Sequence, residues 1–540
     1  MRLDKLHIRR FKNLQNVYVD FDEMSPYTVL VGGNGTGKSN LIEAIAWIFR
    51  ALDLDEPSPF DYELEYRCRE NHIRVEARSR RTPRFEIRRK GEDSFSKLSR
   101  AEFKQVDDDE RPLYRPAFVF GYYSGPSDRL AEVFEKHRQQ FRKYIIKPIE
   151  ERTRGPVKSN SLRRLFYTQT VHGQFALLAF FMDPKEDEQD DRDFLREHLR
   201  IDQLDSVLFV LKEPEWNWRQ RKGDPRFWNA EGEVRDLLER LRDAAMAPMR
   251  MKRKVPVALS TSKTIENMFL FLPDQAALRK VFEHYQNQYA FFTALESIDI
   301  STFFGEVVAR VRVGLEVGGG AVTYRDLSEG EQQLLLVLGL LKFTAEDEAL
   351  FLLDEPDTHL NPGWSVQYLD FLNRFVRRRD NCHILMATHD PLLFASLLRE
   401  QVRIVRRDVD GDIVVEEPED DPRGMGIEAI LTSDLFRLRT TLDRPTQDLL
   451  DTRRRLSMKR EPLTEDERAE LRRVNEILLP LAFSKTTRDP LYELFLEAWT
   501  AQEDPSWQDA PQLTEEQRQE RAILASKIVA ELKAETSPRP

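Results

Sequence analysis

Gly32-Gly33-Asn34-Gly35-Thr36-Gly37-Lys38-Ser39 follows the apolar run Tyr27–Val31 and opens the segment Lys38–Arg50. A short apolar run reads as a buried parallel strand, and Leu41, Ile42, Ile45, Ile48 and Phe49 give the following segment one apolar helical side. The octet thus sits between strand and helix, the setting of a phosphate-binding loop, and matches that pattern in full. Its glycines let backbone N–H groups turn inward around phosphate oxygens. The helix starting near Lys38 adds the positive end of its dipole. The reading assigns Lys38 to the β- and γ-phosphates of ATP and the Ser39 hydroxyl to Mg²⁺, with Gly32–Asn40 as the cradle.

Such a loop needs a carboxylate partner. Ala349-Leu350-Phe351-Leu352-Leu353-Asp354-Glu355-Pro356 is an apolar strand ending in two acids. The strand delivers Asp354 to the sheet edge, where it can hold hydrated Mg²⁺, and leaves Glu355 to orient and polarise an attacking water. One strand later, Ala387-Thr388-His389-Asp390 brings His389 to the same edge, within reach of a γ-phosphate. Leu327-Ser328-Glu329-Gly330-Glu331-Gln332-Gln333 opens the helix before the acidic strand. It reads in two ways. Ser328 and the N–H groups at Gly330 hold a γ-phosphate at a helix N-terminus, or Ser328 and Glu331 form a capping box and nothing more.

The 540 residues are 40% hydrophobic and 33% charged, with net charge −11. That balance argues against a generally basic coat for DNA but leaves room for a local basic groove. Phe175–Met182 and Leu334–Leu341 are the longest apolar runs and fall short of a membrane span; both read as buried helices. The opening Met1-Arg2-Leu3-Asp4-Lys5 has no apolar signal core, and Cys68 and Cys382 make no disulfide framework or zinc motif. These features place the chain in the cytoplasm, away from membranes.

Strands alternating with helices predict an α/β fold, a largely parallel sheet flanked by helices. Four segments follow: residues 1–126, the first half of the head; 127–300, a mainly helical insertion; 301–420, the second half; and 421–540, a helical extension. A closing hairpin is expected at Gln401–Arg407 and Ile413–Glu416 around Asp410-Gly411. Thr464-x-x-Glu467 and Thr514-x-x-Gln517 have capping-box spacing. Leu471, Val474 and Leu478, and again Leu524, Ile528 and Leu532, share one helical face.

The motif order resembles the ABC ATPase superfamily, and more closely its SMC, RecF, RecN and OLD-type branch. Leu6-His7-Ile8-Arg9-Arg10-Phe11-Lys12-Asn13-Leu14 and Leu353-Asp354-Glu355-Pro356-Asp357-Thr358-His359-Leu360-Asn361-Pro362 carry the likeness, together with the Gly-rich loop. It covers residues 1–125 and 300–410. The resemblance implies a head-to-tail dimer enclosing two ATP molecules. Each site takes Lys38, Ser39, Asp354, Glu355 and His389 from one chain and Ser328 and Gly330 from the other. Glu329 and Glu331 stand where transporters usually carry Gly and Gln. No glutamine is identifiable for the loop after the strand Ala117–Tyr123; Arg129 or Ser124 could contact phosphate or the partner head there, or the stretch is an ordinary turn.

The short insertion and helical extension resemble the stand-alone ATPases of bacterial anti-phage systems, the Septu and retron-linked kinds, which imply a separately encoded nuclease. The chain's own residues suggest no nuclease: Asp408-x-Asp410-Gly411-Asp412 lacks EF-hand spacing and reads as a hairpin tip. The alternative is a RecF-like clamp on DNA. Three basic clusters could meet a DNA or RNA backbone: Arg78, Arg80, Arg81, Arg84, Arg88, Arg89 and Lys90; Lys136, Arg138, Arg142, Lys143 and Lys147; and Arg250, Lys252, Arg253 and Lys254. Each could equally be a solvated face.

Overall fold

The computed structural model describes residues 1–21, 24–108, 111–145, 164–182, 189–214, 222–258, 261–313, 320–344, 348–376, 381–457, 459, 463–478, 481, 519–520 and 522–529. The chain divides into two compact units, Met1–Arg437 and Leu438–Pro540.

In the first unit, β1 (Arg2–Phe11) and β2 (Leu14–Asp20) alternate buried and exposed residues and pair antiparallel. β3 (Tyr27–Val31) is buried along its whole length, as a strand covered on both faces must be. It runs into the Gly-rich loop and helix α1 (Lys38–Leu54). β4 (Tyr62–Cys68), β5 (Asn71–Ala77), β6 (Arg84–Arg88) and β7 (Ser96–Leu98) extend β2–β1 into a six-stranded antiparallel sheet. After β8 (Phe118–Tyr123) come the helix Arg129–Ile145, β9 (Leu165–Tyr167) and the helix Thr170–Phe180. β10 (Ile201–Lys212), β11 (Met249–Ala258), β12 (Thr261–Leu272), β13 (Phe304–Val313) and β14 (Ala321–Thr323) form a five-stranded antiparallel sheet in the order β11-β12-β10-β13-β14. The helix Glu329–Thr344, β15 (Ala349–Asp354), the helix Pro362–Phe375, β16 (Cys382–Ala387), β17 (Val402–Arg407) and β18 (Ile413–Glu416) complete the head.

The central sheet has the order β18-β17-β3-β16-β15-β8-β9. All its pairings are parallel except the β17–β18 hairpin. β3 and β8 from the first half of the chain therefore interleave with β15, β16 and β17 from the second. The parallel strands end at one edge, which is where open α/β sheets bind ligands. Helices cover the sheet, in keeping with the expected α/β class. Both apolar runs are buried in helices, Phe175–Phe180 in one and Leu334–Leu341 in the other. The two helices pack closely; a Cβ on Gly339 would lie 2.4 Å from that of Ala176.

Within 127–300, expected to be mainly helical, three long strands, β10, β11 and β12, lie among the helices. The alternation that marks a strand is broken at β10 by register shifts between Ile201 and Gln203 and between Leu204 and Ser206. In β11, Met249–Lys254 are all exposed, because the strand lies at the sheet's edge. Such a strand shows no burial period. The first unit also runs beyond residue 420, since Ile430 and Leu435 enter its core and Phe436 meets Phe394 edge-on at 5.7 Å. The Leu431–Phe436 stretch is thus a packing element of the head. At Asp408–Asp412 the hairpin tip closes as expected, with Asp408 Oδ1 accepting from the N–H groups of Asp410 and Asp412.

The second unit contains the helices Arg444–Ser457 and Glu465–Leu478. Leu456, Leu463 and Leu471 cluster in it. Thr464 caps the second helix: its Oγ1 accepts from the N–H of Glu467, whose carboxylate accepts from the N–H of Thr464. Leu471, Val474 and Leu478 are buried on one face. Ile528 is buried and Leu524 half-buried, while Thr514 and Leu532 lie outside the described residues.

Candidate active site

The Gly-rich loop packs against β17 and is braced by side chains. Gly32 has φ of +154°, and a Cβ there would stand 2.0 Å from the carbonyl oxygen of Val405, so no other residue fits without moving β17. Thr36 Oγ1 donates to Gly33 O at 2.9 Å. Asn13 Nδ2 donates to Gly35 O at 3.2 Å, and Asn40 Nδ2 to Asn13 Oδ1 at 2.6 Å. Asn13, part of the opening motif, thus braces the loop from the β1–β2 turn.

Lys38 is buried, and its Nζ donates to the carbonyls of Gly32 (2.7 Å) and Gly33 (3.3 Å). Burial lowers the ammonium to about 8, against the opposing pull of Asp354 and Glu355. An ammonium that rests on carbonyls, with the two carboxylates not offsetting its burial, is under-compensated, and an anion at the loop would relieve it. Ser39 Oγ donates to Asp354 Oδ1 at 3.1 Å. Arg129 Nη2 meets Asp354 Oδ2 at 3.2 Å. Burial pushes the Asp354 carboxyl above its usual range, while the Ser39 hydroxyl and the Arg129 guanidinium pull it back. A hydroxyl and a carboxylate converging beside a phosphate loop are the hard oxygen donors that Mg²⁺ takes.

Glu355 adopts φ of +55°, a left-handed backbone that costs about 1–2 kcal/mol for a residue with a Cβ. Its N–H donates to Ala387 O at 2.8 Å. The turn leaves its Oε1 3.3 Å from His389 Nε2. Burial first, and the Lys38 charge second, lower the His389 imidazole, with Glu355 opposing. A neutral imidazole follows at pH 7. Strain of this kind persists where surrounding structure over-determines it, typically at working sites.

Beneath these groups runs a buried link. Thr388 Oγ1 donates to Asp357 Oδ2. Burial, with Asp390 and Glu355 adding their charge, pushes the Asp357 carboxyl up to about 7. Gln333 joins the helix Glu329–Thr344 to the same region. Its Nε2 donates to Tyr122 Oη (3.0 Å) and Glu355 O (3.4 Å), and its Oε1 accepts from the N–H of His359 (3.2 Å). The motif reading gave Gln333 no role, since nothing local in the sequence reports contacts to strands so far along the chain.

Lys38, Ser39, Asn40, Asp354, Glu355 and His389 therefore converge. Ser328 and Gly330 do not join them. They line a separate cleft of about 690 Å³ with His198, Arg200, His359 and Trp364 among its walls. Within the chain Ser328 does form the capping box, its Oγ accepting from Glu331 N–H and its own N–H donating to the Glu331 carboxylate. Gly330 is required by a close approach: a Cβ would lie 2.5 Å from His359 O. Ser124 Oγ lies 3.1 Å from Thr358 Oγ1, and Arg129 reaches Asp354 and Asn40. The basic clusters are partly neutralised: Arg78 pairs with Glu76, Lys90 with Glu70, Lys136 with Glu56 and Arg250 with Glu266. Lys147 lies outside the described residues. Among the described residues no helix is long and apolar enough to cross a membrane.

A family model described as "AAA domain, putative AbiEii toxin, Type IV TA system" matches residues 27–395. The chain is 23% identical to the Septu protein PtuA of Bacillus mycoides over 124 residues, 22% of this chain and 17% of that protein. It is 48% identical to the DNA replication and repair protein RecF of Thermosynechococcus vestitus over 48 residues, 9% of this chain and 12% of that protein. The chain thus matches less than a fifth of either relative's length. A solved SMC head, bound to the C-winged helix domain of ScpA, aligns over 77% of this chain and 97% of its own at 13% identity, with a TM-score of 0.32.

Proposed function

Because the chain belongs to the family described as AAA domain, putative AbiEii toxin, Type IV TA system, we propose that it is an ATPase whose sites are each completed by a second copy and whose ATP state controls a separately encoded nuclease in anti-phage defence. The observation that carries the shared site is the separation of its parts. Lys38, Ser39, Asp354, Glu355 and His389 lie together, whereas Ser328 and Gly330 face another cleft. A head-to-tail pair brings one group against the other.

In this reading the Gly32–Asn40 loop binds the phosphates through its N–H groups, and Lys38 moves from its carbonyls to the β- and γ-phosphates. Ser39 and Asp354 hold Mg²⁺, which when bound neutralises charge on the phosphate oxygens. Glu355 orients the attacking water and takes its proton. His389, neutral at pH 7, donates toward the γ-phosphate or steadies Glu355 across their 3.3 Å contact. Ser328 and Gly330 of the second copy present a helix N-terminus to the γ-phosphate. Gln333 and the Asp357–Thr388 link connect the two clefts, so closure at one is felt at the other.

Mixing variants tests the shared site. Ser328→Arg is expected to bind ATP without hydrolysing it, and Lys38→Ala to do neither. A mixed dimer has one intact composite site and one doubly broken site, so mixing should restore part of the ATPase rate. Full recovery would refute the geometry.

The likeness to the Septu protein supports the nuclease partner, with the second unit, Leu438–Pro540, as its proposed docking element. A tagged Glu355→Gln protein recovered from its native host should bring down a stoichiometric nuclease. A second reading, a RecF-like clamp on DNA, draws on the RecF match and on the exposed basic strand Lys252–Lys254. It predicts ATP-dependent, salt-sensitive DNA binding by the isolated protein.

A further inference from the structure

Asp354 is 3% exposed, and both its carboxylate oxygens are engaged. Oδ1 accepts from Ser39, and Oδ2 accepts from Arg129. The same guanidinium donates through Nη1 to Asn40 Oδ1 at 3.4 Å and lies over the Tyr123 ring, 5.2 Å from its centroid. Lys38 is committed to the carbonyls of Gly32 and Gly33, and His389 faces Glu355. Among the described residues, Arg129 is thus the cation bound to Asp354.

A buried carboxylate is strongly disfavoured without a counter-charge. Arg129 supplies one. Yet the lone pairs it and Ser39 occupy are those a divalent cation would take. Two cations crowded on one carboxylate repel, so guanidinium and metal exclude each other there. Arg129 is anchored at the first residue of a long helix, and its side chain is 30% exposed. It can leave Asp354 for solvent while its backbone stays fixed.

We propose that Arg129 is a positioning residue that stands in for Mg²⁺ at Asp354 and must yield that carboxylate before the metal–nucleotide complex can seat. It sets the magnesium concentration at which the site loads. The proposal rests on the reading of this site as one for Mg²⁺ and ATP.

The experiment is a magnesium titration of fluorescent ATP-analogue binding by the full chain, starting in EDTA. Arg129→Ala should lower the magnesium needed for half-maximal tightening by about two- to fivefold, the value of a partly exposed ion pair at its upper range. Affinity in EDTA should stay near that of the unaltered protein. Arg129→Lys keeps the charge but not the planar fork that spans Asp354 and Asn40; it should move the midpoint back toward that of the unaltered protein. It also preserves a measurement if the alanine variant folds poorly. An unchanged midpoint, or one moved to higher magnesium, overturns the proposal. Equal losses of affinity with and without magnesium also overturn it, and make Arg129 a phosphate ligand. If the unaltered protein binds no nucleotide at saturating magnesium, the ATPase reading itself fails.

Discussion

Glu355→Gln is expected to slow ATP turnover by about 10²–10⁴-fold, the usual cost of losing a general base, while ATP remains bound. Glutamine matches glutamate in size, and its N–H can still donate to Ala387 O. The left-handed turn at this position is therefore retained, and the change falls on the chemistry. The amide cannot accept the proton of the attacking water. In a shared-site dimer the product-forming step then lags behind closure, so the closed, ATP-loaded form should accumulate. Single-turnover hydrolysis gives the rate, and sedimentation with and without ATP gives the assembly. Hydrolysis at the parental rate would remove Glu355 from the mechanism.

Lys38→Met should abolish measurable ATP binding and yet leave the fold as stable as before, or more so. The Lys38 ammonium is buried against carbonyls, and its folded value of about 8 lies below the ordinary 10.5. The charged form is thus the one the fold disfavours. Its cost is absent above the unfolded value of 10.5, grows as the pH falls from there to about 8, and is present in full at pH 7. Methionine fills similar space without the charge. The melting temperature at pH 7 should hold or rise by about 1–3 °C, and the gain should shrink toward pH 10. A variant that lost both binding and several degrees of stability would show that Lys38 braces the loop as well as serving the nucleotide. The site would then hold no energetic reserve for ATP binding to release.

Much of the head was legible because its signals are local. The loop Gly32–Ser39 and the strand Ala349–Asp354 carry their geometry in adjacent residues, and the structure sets Ser39 and Asp354 in contact across a sequence separation of 315. The capping box at Ser328 was equally plain. What stayed hidden depends on distant partners. Arg129 could be named only for its position after β8, since nothing near it in sequence identifies Asp354 and Asn40 as its acceptors. The contacts of Gln333 to Tyr122 and His359 are hidden for the same reason. The strands β10–β12 among the helices of 127–300 stay hidden because register shifts in β10 and two-sided exposure in β11 erase the period by which strands are recognised. The cleft at Ser328 was invisible too, since His198 and Arg200 come from a segment with no motif of its own.

The interleaving of the central sheet also bears on how the protein comes to exist. β3 lies between β16 and β17, whose first residues are Cys382 and Val402. During synthesis the Gly-rich loop leaves the ribosome early, but the strand that carries it has no parallel neighbour on either side until most of the head has been made. Pairings of such sequence separation are slow to form. Over that interval the edges of β3 and its apolar residues are available to wrong partners, the condition under which large chains aggregate. Nascent chains halted before residue 380 should therefore be protease-sensitive and fail to bind ATP. Competence would appear abruptly once β16 and β17 have emerged, and rapid translation without chaperones would be the regime in which yield suffers most.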